Sequence, residues 1–315
     1  MFNVIEPGLH TTFQDGGRKG YQRFGIPPGG AMDMFALRVA NLLCGNDQYE
    51  AALELTALGP KLETLNTATI ALTGANLSAM TGDRPLLMWR TVEVGRGEVI
   101  SFRKRITGCR AYLAVAGGFA GVPAVLGSRS TFPRGGAEGL AGRRVQAGDV
   151  LQGRSLDRKV AFRVLPPVLV PDYPKELVLN AVPGPEANLF SPQAMEAFFS
   201  TAYIVAGESD RMGCRLDGPP VKLQVKCEPI SDAMPLGTIQ VPPDGKPIVM
   251  MADRPTTGGY PKIAVLTTAD TCRLAQAAPG TAVRFRKVPV EEAVQLLRSH
   301  EAGLTQIAQT LAKAR

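Results

Sequence analysis

The polar segment from Ala252 to Lys262, ADRPTTGGYPK, holds the densest mixture of chemically capable side chains in this sequence. Apolar runs of strand length flank it on both sides, which predicts a loop held between two strands. Its diglycine can reach backbone angles closed to other residues, so its N–H groups can turn toward a ligand. From the residues alone, a ligand-binding loop and a tight turn with a solvated face are equally open. The candidate contacts are Asp253, Arg254, Thr256, Thr257, Gly258, Gly259 and Tyr260.

A second polar segment, residues 11–33, reads TTFQDGGRKGYQRFGIPPGGAMD. Its many glycines let the backbone present N–H groups as an anion nest. Arg18 can grip a carboxylate or phosphate in fork geometry, and Asp15 can act as a base or hold a metal ion through water. A structural Asp15–Arg18 ion pair that fixes an N-terminal hairpin is the commoner situation and stays open. The candidate residues here are Gln14, Asp15, Arg18, Tyr21 and Asp33.

A third segment, Leu126-Gly127-Ser128-Arg129-Ser130-Thr131, places three hydroxyls around one arginine. Three hydroxyls and a guanidinium suit an oxyanion or a phosphate, although a plain hydroxyl-stabilised turn explains them equally well. Upstream of the diglycine, Glu228, Ser231 and Gln240 are further candidates to complete its pocket, with ordinary surface roles as the commoner alternative. The candidate contacts of the third segment are Ser128, Arg129, Ser130 and Thr131.

Several familiar catalytic signatures are absent from the sequence. There is no GxxxxGK[ST] loop, no GxSxG elbow and no biotinyl-lysine segment, and His10 and His300 are the only histidines. The five cysteines include no CxxC pair, which favours reduced thiols over a disulfide framework or a zinc site. We therefore expect any chemistry to rest on carboxylates, arginines, hydroxyls and backbone N–H groups, and we leave any metal ligands unassigned.

The composition is that of an ordinary folded protein, with 315 residues, 45% hydrophobic and 20% charged. The net charge of +7 is scattered without interleaved aromatic residues, so a nucleic-acid partner is not expected. This charge favours anionic small molecules or an acidic partner, with a plain solvated surface as the commoner explanation. The N-terminus lacks a signal-peptide pattern, and the uncharged stretch between Arg110 and Arg129 is rich in glycine. We expect a cytoplasmic protein with no membrane partner.

Glycine, proline and short β-branched runs predict a mainly β protein with a few helices. Asp33 is expected to cap a helix over Met34–Cys44, and Ser191-Pro192 to open one reaching Phe199. The tail from Val290 to Ala314 predicts one or two amphipathic helices broken near Gly303. The predicted strands are Thr69–Thr73, Val92–Val94, Val99–Phe102, Ala111–Ala116, Phe162–Leu165, Leu177–Asn180, Lys222–Val225, Ile248–Met251, Ile263–Thr267 and Ala282–Phe285.

Three short matches between the two halves keep the same order along the chain. GPKLETL at residue 59 resembles GPPVKLQV at 218, GDRPLLMW resembles DGKPIVMM, and GEVISFRK at 97 resembles GTAVRFRK at 280. Such matches indicate two related β domains, with the diglycine segment as an insertion in the second. We predict an N-terminal domain over residues 1–155, a C-terminal domain over 170–288 and a helical tail over 289–315.

These polar segments also carry a resemblance to a known family. Together with the motifs around them, they resemble the biotin-dependent carboxyltransferase / allophanate hydrolase subunit 2 family, from about Val4 to Lys287. The resemblance implies two cyclophilin-like β-barrel domains. A chain without biotin carboxylase or biotinyl domains is most similar to those family members that serve as the C subunit of bacterial 5-oxoprolinase. The further motifs are ALELTALGP, GCRAYLAVAGGF, LGSRST, SDRMGCRLDGP and GTIQVPPDGKPIVMMADRPTTGGYPK.

For such members, the resemblance implies the ATP-dependent opening of 5-oxo-L-proline to L-glutamate, together with partner subunits A and B. It implies ATP, with Mg²⁺, as the cofactor and no biotin attached to this chain. Phosphorylating a lactam oxygen makes the ring carbon open to water, which calls for arginines and N–H groups where phosphoryl charge spreads. Asp15, Arg18, Asp253 and Arg254 are the expected catalytic residues. A carboxyltransferase component of a biotin-dependent urea or amide carboxylase, and a non-enzymatic antagonist of a kinase inhibitor, are the alternatives.

Overall fold

The computed structural model describes residues 1–133, 142–154, 160–224 and 230–313. By contacts between Cα atoms the chain separates into two compact units. The first unit comprises Met1–Lys19, Gly29–Tyr173 and Gly303–Arg315, and the second comprises Gly20–Pro28 and Pro174–Ala302. The domain bounds expected from sequence, 1–155, 170–288 and 289–315, stay a prediction. Glu228 and the end of the strand predicted over Lys222–Val225 lie outside the described residues.

The first unit contains two sheets and helix α1 (Met34–Cys44). The seven-stranded sheet has the order β11-β12-β1-β4-β9-β6-β7, and the five-stranded sheet has the order β2-β3-β10-β5-β8. In chain order the strands are β1 (Phe2–Glu6), β2 (His10–Gln14), β3 (Ala52–Thr56), β4 (Lys61–Thr64), β5 (Ala68–Asn76), β6 (Ala79–Thr81), β7 (Arg84–Pro85), β8 (Thr91–Val94), β9 (Val99–Phe102), β10 (Thr107–Val115), β11 (Phe119–Ala120) and β12 (Val150–Gly153).

The five-stranded sheet is buried on both faces. Leu113 of β10 and its neighbours pack with Phe2 and Phe13 in one apolar cluster, whereas Tyr112 and Ala114 pack with helix α1 in a second cluster. Because successive strand residues point to opposite faces, a strand covered on both sides favours apolar residues at successive positions. This double burial explains the continuous apolar run in β10.

Helix α1 has the bounds and caps expected from sequence. The Asp33 carboxylate accepts a hydrogen bond from the backbone N–H of Ala36 at 3.0 Å, and Gly45 ends the helix with φ 73°. An extended capping residue with a side-chain oxygen satisfies a helix N–H that has no partner in the helix, and glycine adopts a positive φ without strain. Arg163 then donates to the Leu42 and Leu43 carbonyls at the helix end.

The second unit is a closed barrel with the strand order β13-β20-β17-β18-β15-β14-β21 and a separate β16-β19 pair. Strands β13 and β21 pair in parallel, and the other neighbours in the barrel pair antiparallel. The strands are β13 (Glu176–Pro183), β14 (Ala202–Val205), β15 (Gly213–Asp217), β16 (Asp232–Ala233), β17 (Thr238–Gln240), β18 (Ile248–Met250), β19 (Thr257–Gly258), β20 (Lys262–Leu266) and β21 (Ala282–Lys287), and the helices of this unit include α2 (Pro192–Ser200) and α3 (Thr268–Ala275). Helix α4 (Val290–Lys313) begins in this unit, and its residues from Gly303 belong to the first unit.

The structure corrects three expectations about regular elements. In the strand predicted over Lys222–Val225, the described residues 222–224 make only an isolated bridge between Leu223 and Phe190. Helix α4 is one continuous helix, so the predicted break near Gly303 is wrong. A glycine inside a helix costs only about 0.5–1 kcal/mol, and burial of Leu304, Ile307 and Leu311 on one face compensates for it. Residues 162–165 form no strand, because their pairing is limited to an isolated bridge between Val164 and Arg90.

The prediction of a mainly β protein is confirmed, whereas the origin of the two units by duplication stays a prediction. No helix among the described residues is long and apolar enough to cross a membrane. None of the four described cysteines forms a disulfide, and Cys227 lies outside the described residues.

Candidate functional site

In the first unit, the Asp15 carboxylate joins the end of β2 to the hydroxyl-rich segment predicted from sequence. Its Oδ1 accepts from the Ser128 and Ser130 hydroxyls at 2.7 and 2.6 Å and from the Gly17 backbone N–H at 2.8 Å. Its Oδ2 accepts from the Arg129 backbone N–H at 2.6 Å. Four donors around one buried carboxylate make Asp15 the anchor of this segment, since a charged acceptor strengthens each bond.

The neighbouring side chains fasten the same two segments together. Arg18 is buried and donates through Nε to the Val125 carbonyl at 3.2 Å and through Nη2 to the Ser130 carbonyl. The Thr131 hydroxyl accepts from the Phe13 backbone N–H at 3.2 Å, and Gln14 Nε2 lies 3.5 Å from the Thr131 carbonyl. Most of the polar groups predicted here as binding residues therefore hold one another in place.

Arg129 is the predicted residue of this group that reaches outward, because its side chain is 34% exposed. Its Nη1 lies 3.3 Å from Glu50 Oε1, while Arg154 Nη1 lies 2.8 Å from Glu50 Oε2. One carboxylate shared by two guanidinium groups leaves this cluster net positive. The sequence analysis missed Glu50 and Arg154, whose positions far apart in the chain leave no local signal.

Asp33 has a different role from the Asp15 cluster. Besides capping helix α1, its backbone N–H donates to the Tyr112 hydroxyl at 2.7 Å. That hydroxyl donates to Glu54 Oε2 at 2.7 Å. Burial and the nearby carboxylates of Glu54 and Asp33 raise the pKa of Tyr112 well above its usual value. These contacts are structural, and contact of Asp33 with a substrate stays a prediction.

In the second unit, Arg254 is a buried cation at the start of the diglycine loop, residues 252–262. Its side chain donates through Nε to the Met234 carbonyl at 2.7 Å and through Nη1 to the Met251 carbonyl at 3.3 Å. Burial lowers the pKa of the Arg254 guanidinium to about 10, an effect that the nearby Asp253 charge opposes. Two carbonyl groups orient this guanidinium without neutralising it, which is the arrangement that an anion-binding arginine requires.

The carboxylate of Asp253 is engaged by a different arginine. Arg211 donates to it from Nε at 2.8 Å and from Nη2 at 3.0 Å, a two-pronged contact between largely buried groups. The sequence analysis named Asp253 but not Arg211, although Arg211 lies in one of the motifs that carry the family resemblance. Asp253 is therefore the partner of Arg211, and its role as a proton-transfer or metal-binding group stays a prediction.

Two glutamine side chains hold the diglycine loop in place. Gln22 Nε2 donates to the Met234 carbonyl at 3.1 Å and lies 3.4 Å from the Thr256 carbonyl, and Gln240 Nε2 donates to the Tyr260 carbonyl at 3.0 Å. Strand β19 also pairs Thr257 and Gly258 with β16. Gln240 was predicted from sequence as a site residue. Gln22 was not, although Tyr21, the residue before it in the chain, was predicted.

The reason for glycine at position 258 differs from the one expected. A Cβ atom there would lie 2.3 Å from Met234 Cε and 2.8 Å from Gln240 Nε2, and the backbone φ is outside the left-handed region. Glycine therefore lets the ends of the Met234 and Gln240 side chains pack against the backbone here, and no unusual backbone angle is involved. Thr257 and Tyr260 are exposed, and Thr256, Gly258 and Gly259 are half-buried, so this face of the loop is open to a ligand.

Within the part of the chain that the structure describes, no group of three or more His, Cys, Asp or Glu side chains is arranged to hold a metal ion. Magnesium ions in phosphate-transfer sites are commonly held by one or two carboxylates together with substrate phosphates. The sequence-based expectation of Mg²⁺ with ATP stays a prediction.

We predict that Asp15→Asn destabilises the first unit by about 1.5–3 kcal/mol, the range for hydrogen bonds to a charged group. The amide loses the negative charge and turns an N–H group toward donors that need an acceptor. Urea unfolding followed by the fluorescence of Trp89, the single tryptophan, measures this change. Asp83→Asn, at an exposed carboxylate, is the control and should leave the midpoint unchanged. Equal midpoints for the two variants would contradict the anchoring role.

Comparisons with known proteins agree on one family. The family described as carboxyltransferase domain, subdomain A and B, matches residues 24–287. The chain is 36% identical to the C subunit of 5-oxoprolinase from Haemophilus influenzae, over 98% of this chain and 97% of that protein. It is 37% identical to the C subunit of 5-oxoprolinase from Escherichia coli, over 98% of each.

A solved structure extends the comparison to the fold. The urea carboxylase of Kluyveromyces lactis superposes with a TM-score of 0.90 at 33% identity, covering 97% of this chain and 29% of that one. The family match over residues 24–287 includes the segment Ser128–Thr131 and the diglycine loop. The chain belongs to the carboxyltransferase domain family, subdomain A and B.

Proposed function

We propose that this chain is the C subunit of an ATP-dependent 5-oxoprolinase, active in a cytoplasmic complex with subunits A and B. The observation that carries this choice is the extent of the match. It spans 97% and 98% of the two 5-oxoprolinase subunits, at 36% and 37% identity. In this proposal the complex opens 5-oxo-L-proline to L-glutamate and hydrolyses ATP.

The geometry of Arg254 supports the chemistry that such a reaction needs. When ATP phosphorylates the lactam oxygen, charge spreads over the phosphoryl oxygens, and preorganised donors lower the barrier. Arg254 is held by two carbonyl groups and keeps further N–H donors for an anion. We assign Arg254 to binding the phosphoryl group or the substrate carboxylate, with Asp253 and Arg211 as a supporting pair.

The Asp15 cluster has a supporting role in the same proposal. Asp15 and Arg18 hold the segment that carries Arg129, whose side chain is partly exposed. Arg129 is then the residue of this cluster available to an anionic ligand. Asp15, with four donors around it, positions the segment instead of taking a proton from the substrate.

Reconstitution with candidate subunits A and B tests the proposal. The assay measures ATP hydrolysis and glutamate release with and without 5-oxo-L-proline, and with this chain left out as the control. We expect turnover only when the lactam and all three subunits are present. Stable assembly without lactam-dependent turnover would refute the proposed activity.

The alternative function is a carboxyltransferase step in a biotin-dependent urea or amide carboxylase, and the TM-score of 0.90 to a urea carboxylase favours it. It predicts that a separately expressed biotinylated protein binds the chain and loses its carboxyl group to an amide in its presence. A non-enzymatic role, antagonism of a kinase inhibitor, predicts tight partner binding that Asp15→Ala and Arg254→Ala leave unchanged. The enzymatic proposals predict that these variants bind partners but lose turnover.

A further inference from the structure

A cavity of about 800 Å³ lies beside the diglycine loop in the second unit. Gly259, Tyr260 and Pro261 form one wall, and the segments 220–223 and 241–245 form the others. Cavities of about 300–1,000 Å³ with mostly apolar walls and a few polar groups are the usual sites for small ligands in proteins. The reaction proposed above does not yet account for this cavity.

The cavity walls are tied together by backbone hydrogen bonds. The Val221 N–H donates to the Gly245 carbonyl, and the Val241 N–H donates to the Pro261 carbonyl, each at 2.9 Å. The Gly245 N–H donates to the Pro242 carbonyl, also at 2.9 Å. The cavity is therefore a feature of the folded barrel, which avoids the free-energy cost of ordering its walls when a ligand binds.

The lining indicates a ligand with a flat apolar part and polar groups at its edge. Four prolines supply rigid apolar walls, and the exposed ring of Tyr260 can pack on a planar base. Asp244 lies at the rim, and its Oδ1 accepts from the Lys246 N–H at 3.0 Å, which orients the carboxylate. Lys222 adds one exposed positive charge. The four prolines are Pro220, Pro242, Pro243 and Pro261.

The volume of the cavity suits only one of the two ligands of the proposed reaction, 5-oxo-L-proline and ATP. 5-Oxo-L-proline is one small ring with a carboxylate and would leave most of this volume empty. A purine nucleoside has a flat base for the apolar walls and ribose hydroxyls for an acidic residue, a pairing that recurs in nucleotide sites. The phosphate groups would then need cations, which Lys222 supplies at the rim.

We propose that this cavity binds the adenine and ribose of ATP, with Asp244 accepting hydrogen bonds from the ribose hydroxyls and Tyr260 packing on the base. The assignment rests on the proposed function, because the need for ATP comes from that reaction. It places the nucleoside of ATP in this cavity and the lactam outside the cavity.

Fluorescence of N-methylanthraniloyl-ATP, measured with the assembled complex and with the full chain, tests the assignment. Leu223→Trp fills the cavity and Asp244→Ala removes the ribose acceptor. We expect each to weaken nucleotide binding about tenfold or more, because a hydrogen bond to a charged group is lost or the base is excluded. The KM for ATP should rise in the same variants while the KM for 5-oxo-L-proline stays constant.

Matched variants of the same unit control for charge and bulk. Glu176→Ala removes an exposed carboxylate and Val178→Trp adds an exposed indole, and neither residue lines the cavity. Both should bind nucleotide as the wild type does. Adenosine should compete with the probe, whereas tripolyphosphate, which lacks a base, should compete poorly.

Three results would overturn the assignment. They are wild-type affinity in Asp244→Ala, displacement of the probe by tripolyphosphate or biotin but not by adenosine, and no nucleotide binding by the wild-type complex. Because Asp244 is exposed, its variant tests the assignment even if Leu223→Trp fails to fold. Cavity-dependent ATP binding without lactam-dependent turnover would refute the proposed reaction and leave the nucleotide site standing.

Discussion

Arg254→Lys is expected to lower the kcat of the reconstituted complex by about 10²–10³, the loss typical of removing one preorganised donor to a developing negative charge. Lysine keeps the positive charge but cannot reproduce the fork that contacts the Met234 and Met251 carbonyls while presenting further N–H donors. The measurement is lactam-dependent ATP hydrolysis at saturating concentrations of ATP and 5-oxo-L-proline.

The control for this prediction is Arg284→Lys in strand β21 of the same unit. Arg284 is exposed and donates to the Ser200 carbonyl, so the exchange there should leave kcat unchanged. Circular dichroism must show that Arg254→Lys is folded at the assay temperature. A folded Arg254→Lys variant with wild-type kcat would show that Arg254 takes no part in the reaction. Its buried charge would then have a structural role.

Asp253→Ala is expected to destabilise the second unit by about 3–5 kcal/mol, the cost of breaking a buried ion pair by removing one partner. The variant takes away the carboxylate that contacts Arg211 at 2.8 and 3.0 Å, and water cannot fully replace it because the Arg211 side chain is 9% exposed. Urea unfolding followed by circular dichroism measures the loss. The fluorescence of Trp89 reports the first unit separately and should be little affected.

The matched comparison is Glu292→Ala, which breaks the exposed pair between Arg286 and Glu292. Exposed ion pairs contribute about 0–1 kcal/mol, so this variant should differ little from the wild type. The double variant Arg211→Met with Asp253→Leu should recover most of the lost stability, because apolar side chains carry no desolvation cost. A loss for Asp253→Ala as small as that for Glu292→Ala would show that the pair is not a stabilising contact.

The helices and strands that were predicted correctly are those whose causes lie in neighbouring residues of the sequence. Helix α1 follows from a capping aspartate, an apolar stripe and a terminating glycine, and strand β9 follows from a short run of mostly apolar residues. Helix α3 was missed because its sequence, TADTCRLA, is polar and short. It forms because Asp270 is buried and accepts hydrogen bonds from Thr267 and from Asn180 on strand β13.

The candidate residues were found by type and spacing, but most of their roles were not. Asp15 and Arg18 were predicted to face a ligand or each other, yet their hydrogen bonds reach residues more than 100 positions away. Gly258 was predicted to provide backbone freedom, whereas in the structure the ends of two side chains, Met234 and Gln240, pack closely against it. Such outcomes depend on which strands become neighbours, and no short stretch of sequence contains that information.

The sequence by itself determined the family, the mainly β class and the three polar segments in which most of the candidate residues lie. These follow from ordered motifs, short β-branched runs and dense polar loops, all of which are properties of neighbouring residues. Only the tertiary structure decided that Asp253 pairs with Arg211, while Arg254 donates to two backbone carbonyl groups. The reason is physical, because burial and strand order set the charge balance around a side chain, and both arise only when distant segments pack together.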